Sequence, residues 1–191
     1  MRIISGIAKG KRILSPSDKK TRPLKDLVKE SIFNILRHSD LLNQKFADCL
    51  VLDLFSGVGS FGLEAISRGV KKVIFFENYP PAIKLLHKNL ENLKFTNKAE
   101  INYGNIYEEI NLKKIGYKFD LVFLDPPFKD TNLNSLLKVL LNSSVIKRNT
   151  LLIIHRDKKT LDHFQDEIRI VREEVYGSSK IIFGFFNFSK Y

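Results

Sequence analysis

The stretch FDLVFLDPPF, at residues 119–128, decides how the rest of the chain is interpreted. Residues 119–124 are almost wholly apolar and rich in β-forming side chains, which predicts a strand that is buried on both faces. Asp125 then places an acid at the carboxyl end of this strand. Pro126 and Pro127 fix two φ angles and remove two backbone donors, so the carbonyl groups around them are held in place as acceptors.

Phe128 adds a flat apolar ring, and residues 125–128 together form what we call the acceptor cup. A planar group carrying an N–H₂ would fit it, because the amine could donate to the Asp125 carboxylate and to a proline carbonyl while its ring lies on Phe128. In a plainer alternative, Asp-Pro-Pro only ends the strand and Phe128 belongs to the core. The other segments of the chain must decide between these two interpretations.

The composition is that of a folded single domain with room for a small appendage: 191 residues, 43% hydrophobic and 28% charged. No apolar run approaches the roughly 20 residues of a membrane span, and the N-terminus does not resemble a signal peptide. The single cysteine, Cys49, excludes an internal disulfide and favours a reducing, cytoplasmic compartment. Because Cys49 precedes an apolar strand, we interpret it as a small core residue rather than a nucleophile.

Positive charge is concentrated at the N-terminus. Residues 1–29 hold nine basic and two acidic side chains, a net +7, which leaves only +4 of the total +11 for the other 162 residues. This asymmetry predicts a polyanionic partner, RNA or DNA first and an anionic membrane second, although a merely solvated tail is an alternative. Gly6 and Gly10 among apolar residues indicate a short hairpin-like arm that displays the charge on structure.

Apolar runs and helical periodicity alternate along the chain. They predict strands at 50–55, 73–76, 99–103, 119–124, 150–155, 168–176 and 180–188. They predict helices at 23–38, from the 56–62 turn to 68, from 80 or 81 to 93, and at 106–113, 133–141 and 158–164, with Pro23 at the first helical position. Such alternation predicts an α/β fold with a mostly parallel seven-stranded sheet, closed by an antiparallel C-terminal hairpin at residues 177–179.

A glycine turn, G-x-G-x-x-G, occupies residues 57–62 between a predicted strand and a predicted helix. Glu77 lies at the end of the next strand, 20 positions beyond Gly57, as expected for an acid that binds ribose hydroxyls. A nicotinamide dinucleotide and S-adenosylmethionine both suit this pattern. Asp53 favours S-adenosylmethionine, because a carboxylate facing the turn would repel a pyrophosphate and attract a sulfonium and an ammonium group.

Methyl transfer also accounts for the acceptor cup. An exocyclic base amine is a poor nucleophile, because its lone pair is delocalised into the ring. Acceptors that bind its hydrogens can aim that lone pair at a methyl group, so positioning and electrostatics can supply most of the catalysis.

The chain resembles the class I methyltransferases that act on exocyclic amines of nucleic-acid bases, through the glycine turn, Glu77 and the DPPF sequence. Further stretches narrow the resemblance to one group of these enzymes. They are RIISG at 2–6, KGK at 9–11, TRP at 21–23 and VKESIFNIL at 28–36, with Tyr176-Gly177. They are similar to bacterial enzymes that methylate the exocyclic amine, N2, of a guanine in 16S ribosomal RNA. The resemblance covers residues 2–186 and implies a Rossmann-like fold with a small basic N-terminal β/α extension.

This resemblance implies a role for each matching residue. Asp125, Pro126 and Pro127 would hold the target amine, and Phe128 would stack on the guanine. The cofactor contacts would be Asp53, Gly57, Gly59, Glu77 and Asn105, with Asn105 at the adenine. The RNA contacts would be Arg2, Lys9, Lys11, Arg12 and Arg22. Two positions depart from the family pattern: Leu24, where the family often has Thr, and Asn78, where it often has an acid.

We therefore expect two parts, a basic arm and helix at 1–45 and an S-adenosylmethionine-dependent methyltransferase domain at 46–191. The expected substrate is 16S rRNA or a small-subunit particle, and the expected state is a monomer without a membrane partner. The four histidines show no metal-ligand spacing, so no metal is expected. The alternatives are an adenine-N6 methyltransferase on DNA or other RNA, a non-catalytic RNA-binding factor, and an NAD-dependent dehydrogenase, which Asp53 opposes.

Overall fold

A seven-stranded sheet forms the centre of the fold in the computed structural model, which describes residues 1–16, 24–107, 112, 115–164 and 167–188. The strands are β1 (Leu50–Leu54), β2 (Lys72–Glu77), β3 (Ala99–Tyr103), β4 (Phe119–Leu124), β5 (Ile146–Asp157), β6 (Ile168–Tyr176) and β7 (Ser179–Phe186). Their order is β3-β2-β1-β4-β5-β7-β6. Strands β1 to β5 pair in parallel, whereas β7 runs antiparallel to both β5 and β6.

Helices cover both faces of this sheet. They are α1 (Asp26–His38), α2 (Ser60–Ser67), α3 (Pro80–Leu93) and α4 (Leu133–Leu141), with short 3₁₀ turns at Phe46–Asp48 and Thr96–Lys98. Strand β4 is buried along its whole length, because Leu121 and Phe123 face the core beneath α1, α2 and α3 while Val122 and Leu124 face the core beneath α4. The predicted α/β fold with its antiparallel C-terminal hairpin is confirmed.

Two predicted helices differ from the structure. Residues 158–164 form turns and irregular chain instead of a helix, and Leu161 is 89% exposed. The Asp162 carboxylate instead accepts hydrogen bonds from Arg156, at 3.0 Å from Nε and 2.9 Å from Nη2, and this contact fixes the segment. Helix α1 begins at Asp26 rather than at Pro23, since Lys25 has an extended backbone with ψ 142°.

Some predictions fall beyond the part of the chain that the structure describes. Pro23 and Arg22 lie outside the described residues, as does most of the helix predicted at 106–113.

Cys49 is confirmed as a core residue: its side chain is buried, and burial raises the pKa of its thiol to about 11. No helix in the described ranges is both long and apolar enough to cross a bilayer.

Residues 1–16, which we call the N-terminal arm, fold back on themselves as predicted. Arg2 and Arg12 form an antiparallel bridge, and the Ile3 amide donates to the Lys11 carbonyl at 2.9 Å. Ile3, Ala8 and Ile13 are buried in the core beneath α1, α2 and α3. The arm therefore packs against the sheet domain, while the division of the chain at residue 45 stays a prediction.

Candidate active site

A pocket of about 410 Å³ opens beyond the carboxyl ends of β1, β2 and β4. Carboxyl ends of parallel strands meet at one edge of a sheet, which is where ligands bind in folds of this type. The lining combines the glycine turn, the acid after β2, the acceptor cup and two apolar residues from the N-terminal region. Its residues are Met1, Leu24, Asp53, Phe55, Ser56, Gly57, Val58, Ser60, Phe61, Glu77, Asn78, Tyr79, Phe123, Asp125, Pro126, Pro127 and Phe128.

Asp53 is the most deeply buried acid of this pocket, at 1% exposure. Its Oδ2 accepts a hydrogen bond from the Gly62 amide at 2.9 Å, whereas its Oδ1 has no hydrogen-bond partner among the described residues. Burial raises the pKa of Asp53 well above the ordinary value, and the negative charges of Asp125 and Glu77 act in the same direction. Within the described part of the chain, no positive charge compensates this buried acid.

The two glycines predicted to approach a cofactor have different surroundings. Gly57 lines the pocket, and its amide donates to Glu77 Oε2 at 2.6 Å. Gly59 does not line it: a Cβ added there would lie 2.5 Å from Leu86 Cδ1, and its φ of +85° favours glycine. Close packing of the turn on α3 therefore explains Gly59, and the pocket lining does not support its predicted cofactor contact.

Glu77 is held by the backbone around it. Besides Gly57, it accepts hydrogen bonds at Oε1 from the amides of Asn78 and Tyr79, both at 2.9 Å. Asn78, the departure from the family pattern, lines the pocket beside Glu77. Backbone donors thus fix the carboxylate where the second strand ends, which is the position that the sequence predicted for it.

Asn105 lies in a small side pocket next to the main one. This pocket has a volume of about 30 Å³, and Phe55, Glu77 and Asn78 line both cavities. The Asn105 Oδ1 accepts a hydrogen bond from the Tyr107 amide at 3.1 Å. The structure therefore brings Asn105 beside Glu77, although in an adjoining cavity.

The acceptor cup faces the same pocket as the glycine turn. The Asp125 Oδ1 lies 2.8 Å from His155 Nδ1, and the edge of the His155 ring meets Phe128 with centroids 5.5 Å apart. The Pro127 carbonyl already accepts from the Asp130 amide at 2.8 Å and from Arg156 Nη1 at 3.3 Å. The plainer interpretation, in which this stretch only ends a strand, does not account for an acid and an aromatic ring that both line a cavity.

Sequence reasoning missed the two β5 residues that support the cup. His155 was considered only as a metal ligand, and Arg156 was not considered. Both follow an apolar run at the carboxyl end of a parallel strand, and this position was the available signal. Arg156 is buried at 1% exposure, and its Nη2 also donates to the Asp130 carbonyl at 2.9 Å.

Four of the five predicted RNA-contacting side chains lie on the N-terminal arm, whose first residue lines the pocket, and Arg22 lies outside the described residues. Arg2, Lys9, Lys11 and Arg12 are exposed, and Arg2 Nε lies 3.5 Å from Asp26 Oδ2. Leu24 also lines the pocket, so its apolar side chain forms a wall where the family often has a hydroxyl. Among the residues that the structure describes, no group of acids, histidines or cysteines could hold a metal ion.

The sheet order, the glycine turn and the pocket beyond it define a class I methyltransferase fold. The solved structure of the rRNA methyltransferase aviRa from Streptomyces viridochromogenes matches with a TM-score of 0.69 and 14% identity, covering 88% of each chain in its 1.5 Å form. The protein yhhF from Escherichia coli matches with a TM-score of 0.79 and 26% identity over 98% of each chain.

The chain belongs to the family described as Conserved hypothetical protein 95, whose model matches residues 1–185. It is 35% identical to the ribosomal RNA small subunit methyltransferase D of Buchnera aphidicola subsp. Baizongia pistaciae, over 82% of this chain and 76% of the relative. The family membership predicted from the sequence is therefore confirmed.

Proposed function

We propose that this chain transfers a methyl group from S-adenosylmethionine to the exocyclic amine, N2, of a guanine in 16S ribosomal RNA. The observation that carries the proposal is that one pocket contains Asp53, whose Oδ1 has no hydrogen-bond partner among the described residues, the fixed acid Glu77 and the acceptor cup. The first two suit a cationic nucleoside cofactor, and the third suits a planar amine.

The residues present fit S-adenosylmethionine better than a dinucleotide. Three carboxylates, those of Asp53, Glu77 and Asp125, line the pocket, and Asp53 Oδ1 is buried without a partner among the described residues. A pyrophosphate would be repelled there, whereas a positively charged group would relieve the unpaired acid. Asp53 would face the amino-acid end, Glu77 would bind the ribose hydroxyls, and Asn105 would meet the adenine.

The acceptor cup would bind the target amine. With its Oδ1 on His155, the Asp125 carboxylate leaves Oδ2 to accept one amine hydrogen. Because the Pro127 carbonyl already accepts two hydrogen bonds, we assign the second acceptor to the Pro126 carbonyl. When bound, S-adenosylmethionine would supply a methyl group on a positively charged sulfur and would leave as the neutral thioether. The amine would take that methyl group and would release one of its protons to water.

The N-terminal arm would hold the RNA. Its exposed cations would bind phosphates and set the position of the strand without reading sequence. A paired guanine hides its amine inside the helix, so the target base has to be unpaired or turned out of the stack. The main pocket, which Met1 and Leu24 line from the N-terminal region, would then receive that base.

Methylation of ribosomal particles tests the proposal. Small-subunit particles from cells that lack the gene would be incubated with the protein and S-adenosylmethionine labelled at the methyl group. The expected result is label in 16S RNA at one position, recovered as N2-methylguanosine by nucleoside mass spectrometry. Label recovered as N6-methyladenosine would instead support the adenine alternative.

Absence of label on every RNA and DNA tested would contradict the proposed activity. Calorimetry with S-adenosylhomocysteine would then distinguish a non-catalytic RNA-binding factor, for which no cofactor affinity is expected. Asp125→Ala is the matched low-activity variant, since it removes the acid of the cup and leaves Asp53, Gly57 and Glu77 in place.

A further inference from the structure

A buried histidine connects the acceptor cup to the C-terminal hairpin. His155, near the end of β5, is 4% exposed. Its Nδ1 lies 2.8 Å from Asp125 Oδ1, and its Nε2 lies 2.9 Å from the Oγ of Ser179, the first residue of β7. Ser179 is also buried, at 1% exposure. Both ring nitrogens therefore have a partner, and one of these partners is the acid of the cup.

These contacts favour one tautomer of the imidazole. An ionised carboxylate can only accept hydrogen bonds, so the proton between His155 and Asp125 belongs to Nδ1. The Nε2 atom then has a lone pair, and the Ser179 hydroxyl can donate to it. Asp125 thereby sets which nitrogen of His155 carries the proton, and the Ser179 hydroxyl supports that tautomer by donating to Nε2.

The same imidazole also contacts the aromatic side of the cup. Its ring meets Phe128 at an interplanar angle of 78°, in an edge-to-face arrangement. His155 thus contacts both Asp125, which would accept from the amine, and Phe128, which would lie against the base. A shift of this one ring would change the position of the acceptor and of the aromatic surface together.

We propose that His155, in the tautomer that donates to Asp125 and accepts from Ser179, is a positioning residue for the methyl-transfer reaction. It holds Asp125 Oδ1 so that Oδ2 remains directed at the target amine, and it is not itself the proton acceptor. The inference rests on the proposed function and goes beyond it, because it assigns the antiparallel hairpin a part in the active site. A purely structural role, in which His155 only joins β5 to β7, is the competing explanation.

Two substitutions of His155 separate these explanations. His155→Phe keeps a flat ring but removes the donor, and we expect kcat to fall by about 10- to 100-fold, as when the partner that orients a metal-binding side chain is lost in metalloenzymes. His155→Asn places an amide N–H near the position of Nδ1 and should restore most of kcat. The KM for S-adenosylmethionine should stay within about twofold in both variants, because neither touches the cofactor side. His38→Phe, on the exposed end of α1, is the matched control.

Coupling to Asp125 provides the second test. If His155 acts through this acid, adding His155→Phe to Asp125→Ala should not lower the residual rate further, since residues that act as a unit are not additive. A further loss in the double variant, equal to the loss in the wild-type background, would overturn the proposal. The same conclusion would follow if His155→Phe retained the wild-type kcat, or if His155→Asn and His155→Phe lost equal activity.

A spectroscopic measurement keeps the proposal testable if His155→Phe does not fold. Nitrogen-15 NMR of the histidine side chains reports which ring nitrogen carries the proton. The wild-type protein should show His155 as the Nδ1–H tautomer, and Ser179→Ala should weaken that preference. An Nε2–H tautomer in the wild-type protein would overturn the proposal. Failure of the proposed function is distinct, because the wild-type protein would then transfer no methyl group whatever the tautomer.

Discussion

At the scale of single residues, Asp53 is the side chain whose environment most needs a ligand. It is buried, accepts one backbone hydrogen bond and has an oxygen without a partner in the described part of the chain. A buried carboxylate without a counter-charge is costly when ionised, so its pKa is raised. A bound cation would reverse the shift by stabilising the ionised form.

This reversal predicts how cofactor affinity depends on pH. Below the raised pKa, Asp53 must lose its proton when S-adenosylmethionine binds, so affinity should increase as pH rises through that range and binding should release protons. Isothermal titration calorimetry in two buffers of different ionisation enthalpy measures this release directly. Asp53→Asn should bind more weakly and should lose the part of the proton release that Asp53 contributes; equal proton release by both proteins would contradict the assignment.

The same raised pKa has a consequence for the free protein. The folded chain holds the Asp53 proton to a higher pH than the unfolded chain, whose carboxyl titrates near the ordinary value of 3.8. The contribution of Asp53 to stability is therefore fully present below that value and is lost as pH rises through the raised pKa. Asp53→Asn should flatten this part of the stability profile in urea denaturation.

At the scale of elements, the N-terminal arm is attached to α2 by a buried acid. Glu64 is fully buried and accepts the amides of Ile4 at 2.7 Å and Ser5 at 2.9 Å. The Lys29 ammonium lies 3.7 Å from the same carboxylate and donates to the Arg2 carbonyl at 2.8 Å. Burial lowers the pKa of Lys29, and the charge of Glu64 opposes that shift. The Glu64 carboxylate of α2 therefore contacts both the arm and α1.

Replacing Glu64 should release the arm. Glu64→Gln removes the nearer of the two charges that compensate buried Lys29, the other being Asp26 at 3.9 Å, and we expect a loss of about 3 kcal/mol in the free energy of unfolding. Urea denaturation measures the loss, and limited proteolysis should show earlier cleavage within the arm. Glu91→Gln, at an exposed position of α3, is the matched control and should change neither measurement. Unchanged proteolysis of the Glu64 variant would show that other contacts suffice to hold the arm.

The loop after β4 is supported by a second buried ion pair. Arg156 donates to the carbonyls of Pro127 and Asp130, and Asp162 provides its counter-charge. Asp162→Asn leaves the guanidinium without that charge, so stability should fall by about 3 kcal/mol and the acceptor cup should loosen. Steady-state kinetics should then show a lower kcat with little change in the KM for the cofactor. A lower stability with an unchanged kcat would mean that the loop keeps its geometry without Asp162.

The sequence predicted the sheet because each strand has a local signal. The largely apolar residues 119–124 predicted a buried strand, and every side chain of β4 is buried. The glycine turn predicted the start of α2. The helix predicted at 158–164 was wrong: Asp162 pairs with Arg156 and Leu161 faces solvent. Periodicity within the segment cannot reveal that contact. Local patterns predict elements well when neighbours in the chain share one environment.

The candidate site was predicted less completely, because its supporting contacts join distant parts of the chain. Asp125 and Glu77 follow strands and could be found by position, but the link from His155 to Asp125 spans 30 residues and the link to Ser179 spans 24. No local pattern encodes such a pair. The distinct surroundings of Gly57 and Gly59 also depend on packing against α3, which only the folded structure provides.

At the scale of the whole molecule, positive charge is concentrated in the N-terminal region and negative charge lines the pocket. The N-terminal arm borders the pocket through Met1, and three of its exposed cations, Lys9, Lys11 and Arg12, form no salt bridge among the described residues. The pocket itself is lined by carboxylates, and these suit the cationic cofactor rather than RNA. A polyanion should therefore meet the arm, with the target base as the part of it that enters the pocket.

The salt dependence of RNA binding tests this arrangement. If Lys9, Lys11 and Arg12 each contact a phosphate, replacing all three by Ala should reduce the slope of log Kd against log salt concentration by about 2, at roughly 0.7 per contact on single-stranded RNA. Filter binding or fluorescence anisotropy over a range of salt concentrations measures the slope. Lys71, Lys118 and Arg148 precede or begin strands at the opposite edge of the sheet, and their triple Ala variant is the charge-matched control. Equal changes in both variants would indicate a general effect of net charge. A change confined to the arm variant would place the phosphates on the arm, because each contacted phosphate releases counterions and thereby adds to the slope.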